Sequence, residues 1–148
     1  FDYRPGENDN YIAANALSNL ITLCPECHRQ LETARAMQGT LDGLANLLRG
    51  LAPLYLMCEP RDLGVASDLD FPLTRSPTVV VYDAVPGGVG FSAALYKLHD
   101  ELLRTCLEWV SDCPCDEGCP ACVGPPVETG AGAKMRVKQL LERVVSGE

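Results

Sequence analysis

Four cysteines within ten residues constrain this chain more than any other feature of its sequence. They are Cys113, Cys115, Cys119 and Cys122, separated by short stretches that contain proline and glycine. Four thiolates on so short a loop can converge on one tetrahedral centre, as a structural zinc ion requires. Proline stiffens the loop and Gly118 permits a positive φ, so the backbone can wrap inward at little steric cost. The spacing therefore predicts a structural zinc site with no open position for water or substrate.

Two other uses of the same cysteines stay open from the spacing alone. An iron–sulfur cluster also takes four cysteine ligands. A pair of disulfides is the weaker alternative, because cysteines separated by a single residue are poorly placed for the geometry of the bridge.

Length, charge and cysteine content narrow the class of protein. The chain has 148 residues, enough for one sizeable core or for one core and a small metal-held lobe. A formal net charge of −8 disfavours non-specific binding of nucleic acid by the whole surface. Eight cysteines without a secretory signal favour a reducing compartment, with the cytoplasm as the expected location. The sequence has no run approaching the ~18 apolar residues of a membrane span, so no membrane partner is expected. Residues 1–6 are typical of mid-protein sequence, and we expect the chain to be a piece of a longer one.

The apolar pattern predicts an α+β fold, with a small sheet packed by about three helices beside the four-cysteine zinc lobe. Two short apolar runs, residues 54–58 and 78–82, are typical of buried strands. Apolar residues at three- and four-residue spacing predict helices at about residues 40–49, 92–110 and 134–145. The long middle helix is predicted to bury Phe91, Leu95, Leu98, Leu102, Cys106 and Trp109.

Two segments are candidates for contact with a DNA backbone. A glycine-rich turn at residues 86–90 separates a predicted strand from a predicted helix, where the N–H groups of Gly87 and Gly88 could hold a phosphate. The alternative is a tight turn that needs small residues for close packing. Near the C-terminus, the positive charges of Lys134, Arg136 and Lys138 form a local basic strip. A weak DNA contact there competes with the simpler interpretation of a solvated helical face.

A second group of metal-ligating residues is incomplete. Cys24, Cys27 and His28 have zinc-ribbon spacing but form only half of a site, whose missing ligands we expect to precede Phe1. This half-site can therefore be free of metal in the present chain. No convincing catalytic triad is present, and the glycine turn lacks the Lys-Ser/Thr of a phosphate loop. We therefore do not expect this chain to be catalytic by itself.

Residues 82–90 (YDAVPGGVG), the helix that follows and residues 113–123 (CPCDEGCPACV) together resemble the MrfA-like zinc-binding domain. That domain closes the C-terminus of a group of superfamily 2 DEAD/DEAH-box DNA helicases. The resemblance covers about residues 50–146 and implies that the four cysteines bind zinc. It further implies an accessory domain of an ATP-dependent helicase in DNA repair or defence. Such a domain would brace the motor domains of the same polypeptide and contact single-stranded DNA weakly. We accordingly divide the chain into an irregular segment, residues 1–39, and a zinc-binding domain, residues 40–148.

Residues 19–28 are also similar to the second half of an HNH nuclease motif. The resemblance matches Asn19 and His28 to active-site residues, while the general-base histidine and the first cysteine pair would precede Phe1. Two alternative functions therefore stand beside the helicase domain. One is a fragment of an HNH-type nuclease, and the other is a zinc-stabilised protein-interaction module, which the acidic charge favours.

Overall fold

A computed structural model of the chain describes residues 25–147, and the side chains of residues 32–147. Residues Thr33–Glu148 form one compact unit. Residues 25–32, whose helical backbone is described, lie outside that unit. The elements are, in order, helix α1 (Pro25–Leu56), a 3-10 turn (Pro60–Asp62), strands β1 (Leu63–Asp68) and β2 (Thr78–Asp83), and helices α2 (Phe91–Lys97), α3 (His99–Asp112), α4 (Pro126–Thr129) and α5 (Ala133–Ser146). The predicted α+β class is confirmed.

Helix α1 is much longer than predicted. It begins at Pro25, so residues 25–39 are helical rather than irregular, and it continues to Leu56. The predicted strand at residues 54–58 is therefore wrong, because a short apolar run fits the end of a helix as well as a strand. Pro53 lies inside the helix without ending it. The helix ends instead before Met57, which has a φ of 50°. The Cys58 N–H then donates a hydrogen bond to the Pro53 carbonyl (3.2 Å).

The sheet of the described residues is a two-stranded antiparallel ribbon. Leu63 of β1 lies opposite Asp83 of β2, and Asp68 lies opposite Thr78. Strand β2 confirms a strand at residues 78–82, although none of its residues is fully buried, whereas β1 was missed because its small residues break the apolar run. Gly64 is one of them, and a Cβ there would lie 2.1 Å from the half-exposed ring of Tyr82, which would have to rotate away.

The predicted long helix is broken in two at Leu98. The backbone of Leu98 (φ −107°, ψ 6°) leaves the helical region, and its N–H bonds to the carbonyl of Leu95. Leu95, Leu102 and Cys106 are buried as predicted. Trp109 is 48% exposed, and the neighbouring Val110 takes the core position instead.

One hydrophobic core joins the helices, the sheet and the cysteine loop. Its buried members are Leu47, Leu48, Leu51, Ala52, Leu63, Leu95, Leu102, Cys106, Val110, Cys122, Val123, Val137 and Leu141. Burial raises the pKa of the Cys106 thiol to about 12, so this cysteine behaves as an inert core residue. Among the described helices, none has the length and apolar character needed to cross a membrane. Because Cys122 and Val123 belong to the core, the metal loop is an integral part of the fold.

Candidate metal centre

The four cysteine sulfurs of the loop converge in one cluster. The Sγ atoms of Cys113 and Cys115 are 3.5 Å apart, as are those of Cys115 and Cys122. The Sγ atom of Cys119 lies 3.6 Å from those of Cys113 and Cys122. All four ligand atoms lie within 4.8 Å of one another. These separations are far longer than the ~2.05 Å of a disulfide bond, so the disulfide alternative is excluded.

The donor set fits a single zinc ion. A Zn–S bond of ~2.3 Å in a tetrahedral site separates its sulfurs by about 3.8 Å, close to the spacing of the cluster. An iron–sulfur cluster spreads its cysteine ligands over several metal atoms, so it needs a wider set of sulfurs. Four protein sulfurs also close the coordination sphere. The site is therefore suited to a structural role and offers no position for substrate.

The backbone of the loop is folded around the cluster. The Cys119 carbonyl accepts hydrogen bonds from the N–H groups of Cys122 and Gly124, both at 2.9 Å. The N–H of Cys119 points at the Cys122 sulfur, 3.3 Å away. Gly118 has a φ of 133°, and a Cβ there would lie 2.6 Å from the Gly124 oxygen. The prediction that this glycine lets the loop turn inward is confirmed.

Two of the thiols differ in acidity because their surroundings differ. The backbone N–H of Cys115 lowers the pKa of the Cys113 thiol to about 7. Burial raises the pKa of the Cys122 thiol to about 12. Zinc binds thiolates, so metal binding at this loop releases protons.

Two helices preceding the loop hold its second half by its carbonyl groups. Asn46 of α1 donates from Nδ2 to the carbonyl oxygens of Cys122 (2.6 Å) and Pro120 (3.3 Å). Trp109 of α3 donates from its indole Nε1 to the carbonyl of Ala121 (2.8 Å). Sequence reasoning missed both contacts. The signal for Trp109 was available, since an indole N–H near a buried stripe needs a hydrogen-bond acceptor.

Lys134 of α5 holds the first half of the loop. Its Nζ donates to the carbonyl oxygens of Cys113 (2.6 Å) and Cys115 (2.5 Å). A zinc ion with four thiolates carries a net charge of −2, which the nearby ammonium partly offsets. Lys134 was predicted as part of a DNA-contacting strip. The structure places its ammonium on the metal loop.

The other two basic residues of the strip differ in whether their side chains already have hydrogen-bond partners. Arg136 donates from Nε to the Thr40 hydroxyl (3.1 Å) and from one terminal nitrogen to the Ala131 carbonyl (2.8 Å). The side chain of Lys138 makes no hydrogen bond or ion pair with any residue that the structure describes. A DNA contact by this strip stays a prediction, and Lys138 is the member whose charge is available for it.

The two lysines provide a matched pair of substitutions. Lys134→Met should speed the release of zinc to a chelator and lower the melting temperature, because two carbonyls of the loop lose their donor. Leaving such groups unsatisfied costs about 1–3 kcal/mol. Lys138→Met removes the same charge from the same helix and should leave zinc release unchanged. Equal release rates for the two variants, followed with a colorimetric zinc indicator, would contradict a role of Lys134 at the metal centre.

The glycine turn is organised by Asp83, the last residue of β2. Its carboxylate accepts hydrogen bonds from the backbone N–H groups of Ser92 (2.6 Å), Gly90 (2.7 Å), Val89 (2.8 Å) and Phe91 (3.3 Å). The N–H of Ser92 has the largest effect in lowering the pKa of Asp83 to about 2, followed by those of Val89 and Gly90. The carboxylate is therefore charged at neutral pH, and the N–H groups of residues 89–92 donate to this anion of the chain itself.

Gly87 and Gly88 both adopt positive φ values, 86° and 69°. The N–H of Gly88 donates to the Val85 carbonyl (2.9 Å). Glycine adopts positive φ at little steric cost, so this geometry explains why both residues of this tight turn between a strand and a helix are glycines. Contact of Gly87 and Gly88 with a DNA phosphate stays a prediction.

The predicted second half-site lies outside the described residues. Cys24 precedes them, as does Asn19 of the HNH-like segment. Cys27 and His28 lie on the backbone of α1, and their side chains are not among those described. Metal binding at this half-site stays a prediction.

Among protein families, the MrfA Zn-binding domain matches residues 44–123 of the chain. The match covers more than half of the chain and includes all four clustered cysteines. The donor set and this match together identify the metal as zinc.

Two curated proteins show similarity at the level of sequence. The ATP-dependent helicase YprA of Bacillus subtilis (strain 168) is 34% identical over 110 residues, which are 74% of this chain and 15% of YprA. Protein MJ1572.1 of Methanocaldococcus jannaschii is 32% identical over 76 residues, which are 49% of this chain and 68% of that protein.

Solved structures of a helicase match the fold. The crystal structure of the DUF1998 helicase MrfA bound to DNA aligns with a TM-score of 0.68 and 34% identity, over 74% of this chain and 14% of MrfA. MrfA bound to DNA and AMPPNP aligns with a TM-score of 0.62 and 34% identity, over 70% of this chain and 14% of MrfA. The chain thus spans about one seventh of the length of the helicases it matches.

Proposed function

The chain belongs to the MrfA Zn-binding domain family, and on that premise we propose that it is the zinc-binding accessory domain of an ATP-dependent DNA helicase. The observation that carries this proposal is the alignment of 74% of the chain with one part of a DNA-bound helicase at 34% identity. The 34% identity to a similar share of the helicase YprA supports it independently of structure.

Within such a helicase, we propose that the domain braces the motor and takes no part in ATP hydrolysis. The zinc centre supports this role, because its four sulfurs fill the metal's coordination sphere and its loop is fixed by helices α1, α3 and α5. A metal held in this way stabilises structure. DNA repair or defence is the process we propose for the parent protein. The cytoplasm is the location we propose, in keeping with reduced, metal-binding thiols.

We also propose that the domain contacts DNA weakly and through the backbone alone. Of the three basic residues of the strip, Lys138 is the one whose side chain bonds to no residue that the structure describes. The turn of Gly87 and Gly88 is a further candidate. Each phosphate contact releases counterions, so Lys138→Glu in the parent protein should reduce the salt dependence of DNA binding by a slope of about 1. An unchanged slope would leave Lys138 as a solvated surface residue.

The proposed function is tested by comparing this chain alone with its full-length parent. The parent should hydrolyse ATP in the presence of DNA and unwind duplexes, whereas the isolated chain should do neither. Cys119→Ser in the parent should reduce unwinding together with thermal stability, because the brace is lost. A parent without DNA-dependent ATPase activity would contradict the proposal. Metal-dependent DNA cleavage that His28→Ala abolishes would favour the HNH nuclease alternative instead.

A second candidate function is a zinc-stabilised protein-interaction module. The 76 matching residues make up 68% of the Methanocaldococcus jannaschii protein, so in that relative the similar region is most of the polypeptide. The acidic charge of the chain, −8, suits a protein partner better than a nucleic acid. Stable capture of a protein partner by the isolated chain, with no helicase activity in the parent, would favour this candidate.

A further inference from the structure

A groove away from the metal loop lies between helices α1 and α5. It has a volume of about 730 Å³, and Leu103 of α3 and Val79 of β2 also line it. Most of its wall is apolar, and Met37 and Val144 remain 42% and 50% exposed there.

The charges of this groove are all positive. Arg136 and Arg143 are among its lining residues, and the described lining contains neither Asp nor Glu, although the chain as a whole carries −8. The guanidinium of Arg136 is already held by Thr40 and Ala131. Arg143 is exposed, and its guanidinium bonds to none of the residues that the structure describes. An apolar surface with one available arginine at its rim is complementary to an apolar segment that carries a carboxylate.

The walls of the groove favour a helix as its occupant. On α1 the lining residues Met37, Leu41, Leu44 and Leu48 recur at three- and four-residue spacing, and Arg136, Leu140 and Val144 do so on α5. Side chains in such rows form ridges between which the ridges of a third helix can pack. An amphipathic helix in an apolar groove is a recurring mode of recognition.

From these observations, and resting on the proposed function, we infer that the groove receives an amphipathic helix from the motor portion of the same polypeptide. Its apolar face lies between α1 and α5, and an Asp or Glu of that helix pairs with Arg143. The length of the chain relative to the matched helicases indicates where this helix comes from. The chain accounts for 14–15% of the matched helicases, so most of such a polypeptide lies outside it.

A photo-crosslinker in the full-length parent tests this inference. Benzoylphenylalanine replaces Val144 in the groove, and in a control protein it replaces Val127, which is 92% exposed and outside the groove. Crosslinked peptides are identified by mass spectrometry. Position 144 should couple to one apolar segment of the motor portion that carries Asp or Glu, and position 127 should not couple to that segment.

A charge reversal supplies the second arm. Arg143→Glu should lower the yield of that crosslink by about tenfold or more, because a like charge would face the carboxylate of the bound helix. Arg104→Glu makes the same change at an exposed arginine of α3 outside the groove and should leave the yield unchanged. Crosslinks from position 144 only to a second copy, only to DNA, or to nothing would overturn the inference. A parent that gives the expected crosslink but does not unwind DNA would instead contradict the proposed function.

Discussion

Cys119→Ser should leave this domain without zinc and without a cooperative thermal transition. The sulfur cluster would lose one of four ligands, and the loop that carries it belongs to the hydrophobic core through Cys122 and Val123. Structural zinc contributes about 10–16 kcal/mol in zinc-finger peptides. That is as much as the whole free energy of unfolding of a typical domain, about 5–15 kcal/mol. Removal of zinc from the unsubstituted protein by a strong chelator should have the same result.

Metal analysis and circular dichroism check this expectation together. The purified chain should contain about one zinc ion, lost in the Cys119→Ser variant along with the thermal transition. Cys58→Ser is the matched control, because Cys58 is a half-buried free cysteine outside the cluster. It should keep both the zinc and the transition. A Cys119→Ser protein that melts like the unsubstituted chain would show that the metal does not stabilise the fold.

The metal centre could be predicted from sequence because its four cysteine ligands lie close together along the chain. Cys113 and Cys122 are only nine positions apart, so the loop alone brings their sulfurs together. The contacts that hold the loop are not local. Asn46 reaches Cys122 across 76 residues, and Lys134 reaches Cys113 across 21. No periodicity links such positions, and a lysine among other basic residues is first interpreted as a solvated surface charge.

Helix α1 shows how tertiary packing outweighs local signals. The sequence predicted a short helix, residues 40–49, that ends at Gly50 and Pro53, whereas Gly39, Gly43 and Gly50 all lie inside the observed helix. Two of these glycines are instead sites of close packing. A Cβ at Gly43 would lie 2.9 Å from a methyl group of Val137, and one at Gly39 would meet the backbone of Thr129. Gly39 and Gly43 are therefore contact points along one continuous helix.

Replacing Gly39 with alanine should consequently destabilise the domain, although alanine is the better residue for the middle of a helix. A Cβ at this position would be 1.9 Å from the carbonyl oxygen of Thr129 and 2.8 Å from its carbonyl carbon. Thr129 is 5% exposed in α4, and a backbone group in that position cannot rotate away as a side chain would. Gly39→Ala must therefore push α1 and α4 apart, and overpacking of this kind costs about 1–3 kcal/mol or more. The gain in helix propensity, about 0.5–1 kcal/mol, is too small to offset it.

Gly50→Ala is the control for this substitution within the same helix. Gly50 is exposed, and a Cβ there meets nothing within 4 Å, so the gain in helix propensity should appear by itself. Chemical denaturation should give a lower free energy of unfolding for Gly39→Ala and a slightly higher one for Gly50→Ala. Both variants should keep one zinc ion under native conditions, since neither residue contacts the cysteine loop. If Gly39→Ala were as stable as Gly50→Ala, the close approach of α1 to the Thr129 carbonyl would be wrong.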